Sequence, residues 1–353
     1  MALVNGNSVD AVADHGGSLG RASALFPQAP LPWIDLSTGI NPHSYPLFDL
    51  PATAYSRLPE PVRARELAAV AAAAYGAPSA ANVVSAPGTQ ILLPRVAALV
   101  KPGRALVLGP TYAEHARACA IAGHTVAEVH DFDALVGADI AVVVNPNNPD
   151  GRVVSRRDLL ELADKMRSKG GLLVVDEAFM DVGPQDERMD GDVERGGLIV
   201  LRSFGKFFGL AGVRLGFAIA AEPLAVRLDA ELGPWAVAGP ALEYGIKALG
   251  DEAWQKAMRN TLNEDAGRLD ALFAGLDVEV LGGTSLFRFL QLPDAVGLFA
   301  ALGQSGILIR NFNWDETALR IGLPGNEGEW RRLEKSLAAW AVKRASGTTE
   351  VRP

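Results

Sequence analysis

The stretch LIVLRSFGKFFGLAGVRLGF, residues 198–217, decides how the chain is read. LIVLR is apolar up to Arg202, as a strand buried on both faces would be, and it runs into a glycine-rich loop that carries Ser203 and Lys206. Arg214 follows eight positions after the lysine. A hydroxyl and a guanidinium beside a loop lysine suit a phosphate anchor, because the planar guanidinium fork matches phosphate oxygens bidentately. A lysine that attacks a carbonyl must be held on rigid backbone and partly desolvated, since only its neutral amine is nucleophilic. Taken alone, the lysine would be read as a solvated loop residue.

Working outward, short apolar runs recur at Asn82–Ala86, Ala105–Gly109, Thr125–Val129, Ile140–Asn145, Leu172–Asp176, Leu198–Arg202 and Gly216–Ala220, with helical stretches between them. Such alternation predicts an α/β fold with a seven-stranded, mostly parallel sheet covered on both faces by crossover helices. The Ala-rich stretch Glu66–Tyr75 reads as a helix ended by Gly76 and Pro78. From about Pro240 the pattern changes to helices at Glu243–Ala248 and Glu252–Ala274, a β-rich stretch from Val278 to Leu323, and an amphipathic helix, Glu327–Arg344. The expected division is an N-terminal arm with part of a small domain at 1–44, a large domain at 45–238 and an α+β small domain at 239–353. The tail from Ser346 to Pro353 is expected to fray.

Four further strand-to-turn junctions carry polar groups. LLVVDEAF (172–179) places Asp176 at the end of a buried strand, where ligand chemistry in open α/β sheets collects, and where a carboxylate can pair with a protonated ring nitrogen. VVVNPNNPDG (142–151) presents Asn148 at the same edge as a donor. SAPGTQ (85–90) joins a strand to a helix beginning near Thr89, so Gly88, Thr89 and Gln90 form an anion site of backbone N–H groups and a hydroxyl. LVLGPTYAEH (106–115) puts Tyr112 just past a strand end, where its ring could stack on a planar ligand. Each junction by itself has a plain structural explanation, such as a helix cap or a turn.

Taken in order, these five segments resemble the class I/II aminotransferases, pyridoxal-phosphate (PLP) enzymes of fold type I, over nearly the whole chain. The resemblance implies PLP as cofactor. It implies contacts from Gly88, Thr89, Gln90, Tyr112, Asn148, Asp176, Ser203, Lys206 and Arg214, with Lys206 carrying the cofactor as an imine and Asp176 holding its ring nitrogen protonated.

Within the family, DHGGSLGRA (14–22), IDLSTGINP (34–42), GILIRNF (306–312) and LRIGLPGNEGEW (319–330) are similar to the threonine-phosphate decarboxylases of cobalamin biosynthesis, while histidinol-phosphate aminotransferases share most of the remaining pattern. That likeness implies a carboxy-lyase acting on L-threonine O-3-phosphate, with a histidinol-phosphate-type aminotransferase as the alternative and a non-catalytic PLP-fold binding protein as a further one. It implies His15, Gly16, Gly39, Asn148, Arg310 and Arg320 as substrate-binding residues: Arg320 for the carboxylate, Arg310 near the phosphate. A homodimer is implied as well.

The chain departs from the family pattern at several places. Phe179 stands where many relatives have a tyrosine, and Leu58, in Arg57-Leu58-Pro59-Glu60-Pro61, stands where they have a tyrosine that reaches the partner's cofactor phosphate. Tyr55 is close enough in sequence to substitute for the latter. Pro234-Trp235-Ala236-Val237-Ala238 replaces a more polar segment, and Gly39 replaces an asparagine.

Composition bounds the rest. The 353 residues carry 41 acidic and 33 basic side chains, a net charge of −8 with no basic block, which argues against nucleic-acid binding. The start, MALVNGNSVDAVADHGG, lacks the basic and apolar regions of a signal peptide, and no run of about 18 apolar residues appears. One cysteine, Cys119, excludes an internal disulfide, and no Cys/His group has metal-ligand spacing. A soluble, cytoplasmic enzyme without a metal is expected.

Overall fold

The computed structural model describes residues 15–346. The first 14 residues of the expected N-terminal arm, and the expected frayed tail beyond Ser346, lie outside the described residues. The strands in chain order are β1 (Ile34–Asp35), β2 (Val83–Ala86), β3 (Arg104–Leu108), β4 (Thr125–Val129), β5 (Ile140–Val144), β6 (Leu172–Asp176) and β7 (Leu198–Ser203). They continue as β8 (Gly216–Ala220), β9 (Val280–Thr284), β10 (Phe287–Gln291), β11 (Ile307–Leu308), β12 (Arg310–Phe312) and β13 (Asp315–Gly322). The chain divides into two compact units, the larger holding residues 44–148 and 152–256 and the smaller 15–43, 149–151 and 257–346.

The larger unit is built on a seven-stranded sheet in the order β2-β8-β7-β6-β5-β3-β4. Strands β3 to β7 pair in parallel, and β8 runs antiparallel between β7 and β2. The seven strands read from sequence are these seven, with ends differing by no more than a residue or so. Parallel strands covered on both faces have no polar side, so β5 and β6 are buried at every position. Helices Leu92–Ala97, Glu114–Ile121 and Glu222–Leu232 supply the rest of one core, in which Leu92, Ala105, Ile199, Leu201, Ala218 and Leu228 are fully buried. Helix Pro61–Tyr75 starts with proline at its first turn and stops at Gly76, whose φ of 79° closes the last turn in the left-handed region.

Helix Gly239–Leu249 belongs to this unit, although the change of sequence pattern falls at its start. It packs on helix Pro61–Tyr75 so closely that a side chain at Gly245 would lie 2.7 Å from Leu67 Cδ1. Packing, not composition, therefore sets the division after residue 256 instead of at 239.

The smaller unit holds a four-stranded antiparallel sheet, β12-β13-β10-β9, and a short parallel pair that joins β1 to β11 through Ile34↔Ile307 and Asp35↔Leu308. The stretch 278–323, expected to be β-rich, also contains a helix, Ala295–Gln304. Its sequence AVGLFAALGQ is apolar on nearly every side, which leaves no polar stripe to signal a helical period. Among the described residues no helix is long and apolar enough to cross a membrane, and no cluster of His, Cys, Asp and Glu is arranged to hold a metal ion.

Candidate active site

Sheet register gathers the residues of the larger unit. Ala86 pairs with Gly216, and Gly216 with Ser203, so the ends of β2 and β7 meet at the start of β8. Gly88 and Thr89 lie just beyond β2, and Arg214 lies two residues before β8. The approach is close: a Cβ on Gly216 would sit 2.5 Å from Thr89 N, and one on Gly88 would sit 3.1 Å from Arg214 Cζ and nearer still to Nη2. Gly88 has φ of 83°, a left-handed backbone that glycine alone adopts freely. Arg214 itself is held at φ 54°, a conformation costly for a side chain of its size and one that clusters at functional sites. Two hydroxyls, a guanidinium and a cleared backbone thus form a cradle with the donor set of a phosphate site.

Asp176 ends β6 beside Val144 of β5 and Leu201 of β7. Its side chain is buried, accepts a hydrogen bond from Ala178 N–H at 3.0 Å, and lies 2.8 Å from His115 Nε2. A carboxylate only accepts, so Nε2 carries the donated proton. His115 is equally buried, and its ring meets Tyr112 edge-on at 5.9 Å between centroids. Tyr112 lies two residues before helix Glu114–Ile121 and His115 in its first turn, with His115 N–H donating to Tyr112 O at 3.2 Å, so the loop that presents the aromatic face leads directly into the residue that orients the carboxylate. In the sequence His115 is marked only by its place three positions after Tyr112.

Gln90 is tied into the same group. It accepts from Tyr112 Oη at 3.1 Å and donates to Glu114 Oε2 at 2.7 Å. Its side chain therefore braces the aromatic ring. Burial, with Glu114 and Asp176 nearby, pushes the Tyr112 phenol up to about 12, so it stays protonated across the physiological range. Asn148 follows a segment braced on both sides: Asn145 exchanges hydrogen bonds with Val154, and Asn147 accepts from Thr111 Oγ1 at 2.7 Å.

Lys206 sits in the short helix Phe204–Phe207, its Nζ 5.8 Å from the centre of the Phe179 ring. The residues around it are anchored in the core. Phe204 stacks on Phe208 at 4.5 Å, Phe208 stacks on Trp254 at 5.6 Å, and Phe204, Phe207 and Phe208 are fully buried. Tyr45 closes the stack, its N–H donating to Phe208 O at 2.8 Å and its hydroxyl to Asp251 at 3.0 Å. Removing one such aromatic typically costs about 3–5 kcal/mol, so the backbone under the lysine is rigid.

The smaller unit holds the other expected residues. Gly17 N–H donates to Ser37 Oγ at 2.7 Å, Arg320 donates to Ser37 O at 2.7 Å, and a Cβ on Gly16 would fall 2.5 Å from that same carbonyl oxygen. Ser37 is the hub of this group, unmarked in the sequence reading. Arg310 and Arg320 are direct cross-strand partners on β12 and β13. Like charges opposite one another are unfavourable, and burial together with Arg310 pulls the Arg320 guanidinium down to about 9. An anion placed beside the pair would relieve both costs. His15, Gly16, Ser37 and Arg310 line a groove of about 1210 Å³ within this unit, and Gly39 lies buried two residues after Ser37.

The cofactor implied by the sequence resemblance fits the larger unit: a cradle cleared of Cβ atoms for a phosphate, an aromatic face, a buried carboxylate for a ring nitrogen, and an amine on rigid backbone. Comparison with known proteins agrees. Residues 55–337 match the model of the aminotransferase class I and II family. The chain is 43% identical to a threonine-phosphate decarboxylase from a Sinorhizobium species, over 92% of this chain and 97% of that protein. It is 41% identical to a threonine-phosphate decarboxylase from Pseudomonas aeruginosa, with the same coverage of both. Its fold is similar to that of the Sinorhizobium meliloti histidinol-phosphate aminotransferase solved in complex with pyridoxal-5′-phosphate, with a TM-score of 0.80 over 97% of this chain and 99% of that one at 19% identity.

Proposed function

The chain belongs to the aminotransferase class I and II family, PLP-dependent enzymes of fold type I, and from that premise we infer that it is a carboxy-lyase that converts L-threonine O-3-phosphate to (R)-1-amino-2-propanol O-2-phosphate and CO₂ in cobalamin biosynthesis. The observation that carries the reading is the 43% and 41% identity to threonine-phosphate decarboxylases along more than nine-tenths of the chain.

Gly88, Thr89, Ser203 and Arg214 would hold the cofactor phosphate, Tyr112 the ring face, Asn148 its phenolate oxygen, and Lys206 its aldehyde carbon. When bound, PLP supplies an electron sink for the pair left on Cα as CO₂ departs. Asp176, oriented by His115, would keep a proton on the ring nitrogen, which would preserve that sink. Phe179 offers no hydroxyl at the place where many relatives have a tyrosine, so the phenolate contact rests on Asn148. Lys206 Nζ would be the group placed to return a proton to Cα, which balances the loss of CO₂. His15, Gly16, Gly39, Arg310 and Arg320 are assigned to the substrate, Arg320 to its carboxylate and Arg310 to its phosphate. Which bond at Cα breaks would be set by how these residues position the substrate, so positioning would select decarboxylation over transamination.

A homodimer and a cytoplasmic setting complete the proposal. In the larger unit Tyr55, Leu58, Val62 and Trp235 are 70%, 63%, 57% and 56% exposed. Gly239 lies hard against Ala54 O, which brings the segment after Trp235 beside the short helix Thr53–Ser56 that bears Tyr55. Such an apolar surface suits a second copy of the chain.

The test supplies purified protein and PLP with threonine phosphate, then separately with histidinol phosphate and 2-oxoglutarate. CO₂ released from threonine phosphate without 2-oxoglutarate is the expected result. Amino transfer without CO₂ would make the chain an aminotransferase instead.

A further inference from the structure

One step along the backbone from the site residues lies a second polar cluster, which the chemistry above does not use. Arg202 is 1% exposed, and Glu177 and Asp190 are 0% exposed. Arg202 Nε donates to Asp190 Oδ1 at 3.0 Å, while its Nη2 pairs with Asp190 Oδ2 and, at 2.8 Å, with Glu177 Oε2. Glu177 Oε1 accepts from Met189 N–H at 2.8 Å, and the guanidinium lies 4.9 Å over the Tyr75 ring.

The positions matter more than the number of bonds. Glu177 directly follows Asp176, and Arg202 directly precedes Ser203. Their strands are neighbours, with Asp176 opposite Leu201 and Glu177 N–H donating to Leu201 O at 2.9 Å. The ion cluster therefore ties together the two strand ends that carry the carboxylate and the phosphate-side hydroxyl. A buried ion pair contributes little stability relative to well-packed apolar residues, so stability is a weak reason for placing one here. Arg202 also faces two carboxylates at once. Burial raises Glu177 above the usual carboxylate range, with Asp190 adding to the rise and Arg202 opposing it.

We propose that Arg202, with Glu177 and Asp190, is a positioning group for the cofactor site, holding Asp176 and Ser203 in register across β6 and β7. The proposal rests on the reading of this sheet edge as a PLP site. Misplacing a catalytic constellation by about 1 Å can cost on the order of 10²-fold in rate. A clamp adjacent to both residues is where such an error would be prevented.

The experiment uses full-length protein and two variants, Glu177→Gln, which keeps the shape, and Arg202→Lys, which keeps the charge and loses the fork. Measured are the melting temperature of the cofactor-free protein, the Kd for PLP, the pH at which the bound cofactor's visible absorbance changes, and kcat and KM for threonine phosphate. Expected are weaker PLP binding by about tenfold, a displaced absorbance profile, and a kcat that falls more than KM rises. If Arg202→Lys does not fold, Glu177→Gln decides alone. Unchanged PLP affinity and an unchanged absorbance profile would leave the cluster a purely structural feature and overturn the proposal, whatever the melting temperatures do. A parent protein that takes up no PLP would overturn the site reading as well, so the two failures are told apart by the parent.

Discussion

His115 Nε2 lies 2.8 Å from Asp176 Oδ2, and both side chains are buried at the edge where the sheet presents its other polar groups. His115→Phe keeps an aromatic ring of similar size but removes the donor. The buried carboxylate then loses one partner, at a cost of about 1–3 kcal/mol. Thermal unfolding of the cofactor-free protein should show a lower Tm, and the decarboxylation rate should fall. A variant equal to the parent in both would mean that the pair does not orient Asp176.

Gly88 and Gly212 make a matched pair of glycine tests. A methyl at Gly88 meets the Arg214 guanidinium and sits on a backbone with φ of 83°, whereas a methyl at Gly212 meets nothing within 4 Å. The strain at Gly88→Ala is about 1–3 kcal/mol, since φ 83° with ψ 157° is a region essentially confined to glycine, and displacement of Arg214 should weaken PLP binding as well. Gly212→Ala should stay within about 0.5 kcal/mol of the parent. Titration of both variants with PLP is the check, and equal Kd values would sink the cradle assignment.

Glu177 gives a pH signature. Its folded-state pKa is raised above its ordinary value of 4.5, first by burial, with Asp190 adding and Arg202 and the Met189 N–H opposing. A carboxyl raised on folding contributes stability that is complete below about 4.5 and is lost as pH rises through the folded value. Tyr75 and Asp181 lie in the same cluster and bear on the midpoint. Glu177→Gln should therefore lose less stability than the parent as pH is raised above 4.5. Denaturant unfolding across that range measures the difference, and parallel curves would count against a raised Glu177 pKa.

Leu58 is 63% exposed beside Tyr55. If this surface meets a second copy, Leu58→Asp places a charge in an apolar contact and should shift sedimentation toward the monomer, with PLP affinity falling alongside. A parent that sediments as a fully active monomer would remove the dimer from the proposal.

The sheet was legible in the sequence because its strands are apolar throughout and each ends in a turn rich in Gly, Pro or Asn. VVV at 142–144 and LLVV at 172–175 admit little other than a doubly covered strand. The helix Ala295–Gln304 was not legible, because a segment apolar on almost all sides carries no periodic contrast. Nor could the pattern change near Pro240 mark the boundary between units, since helix Gly239–Leu249 buries its apolar face against Pro61–Tyr75.

Among the site residues, the strand-end groups Asp176, Ser203, Lys206 and Arg214 could be named from their neighbours in sequence. His115, Ser37 and the Arg202 cluster could not. Each of these acts through a partner distant in sequence: 61 positions separate His115 from Asp176, and 283 separate Ser37 from Arg320. The sequence by itself determined which strands exist and which turns carry polar groups, because these follow from local burial and local backbone freedom. Only the tertiary structure decided that Ala86, Gly216 and Ser203 stand side by side, and that a histidine holds the carboxylate. Strand order and register arise from packing across the whole sheet, which no local window contains.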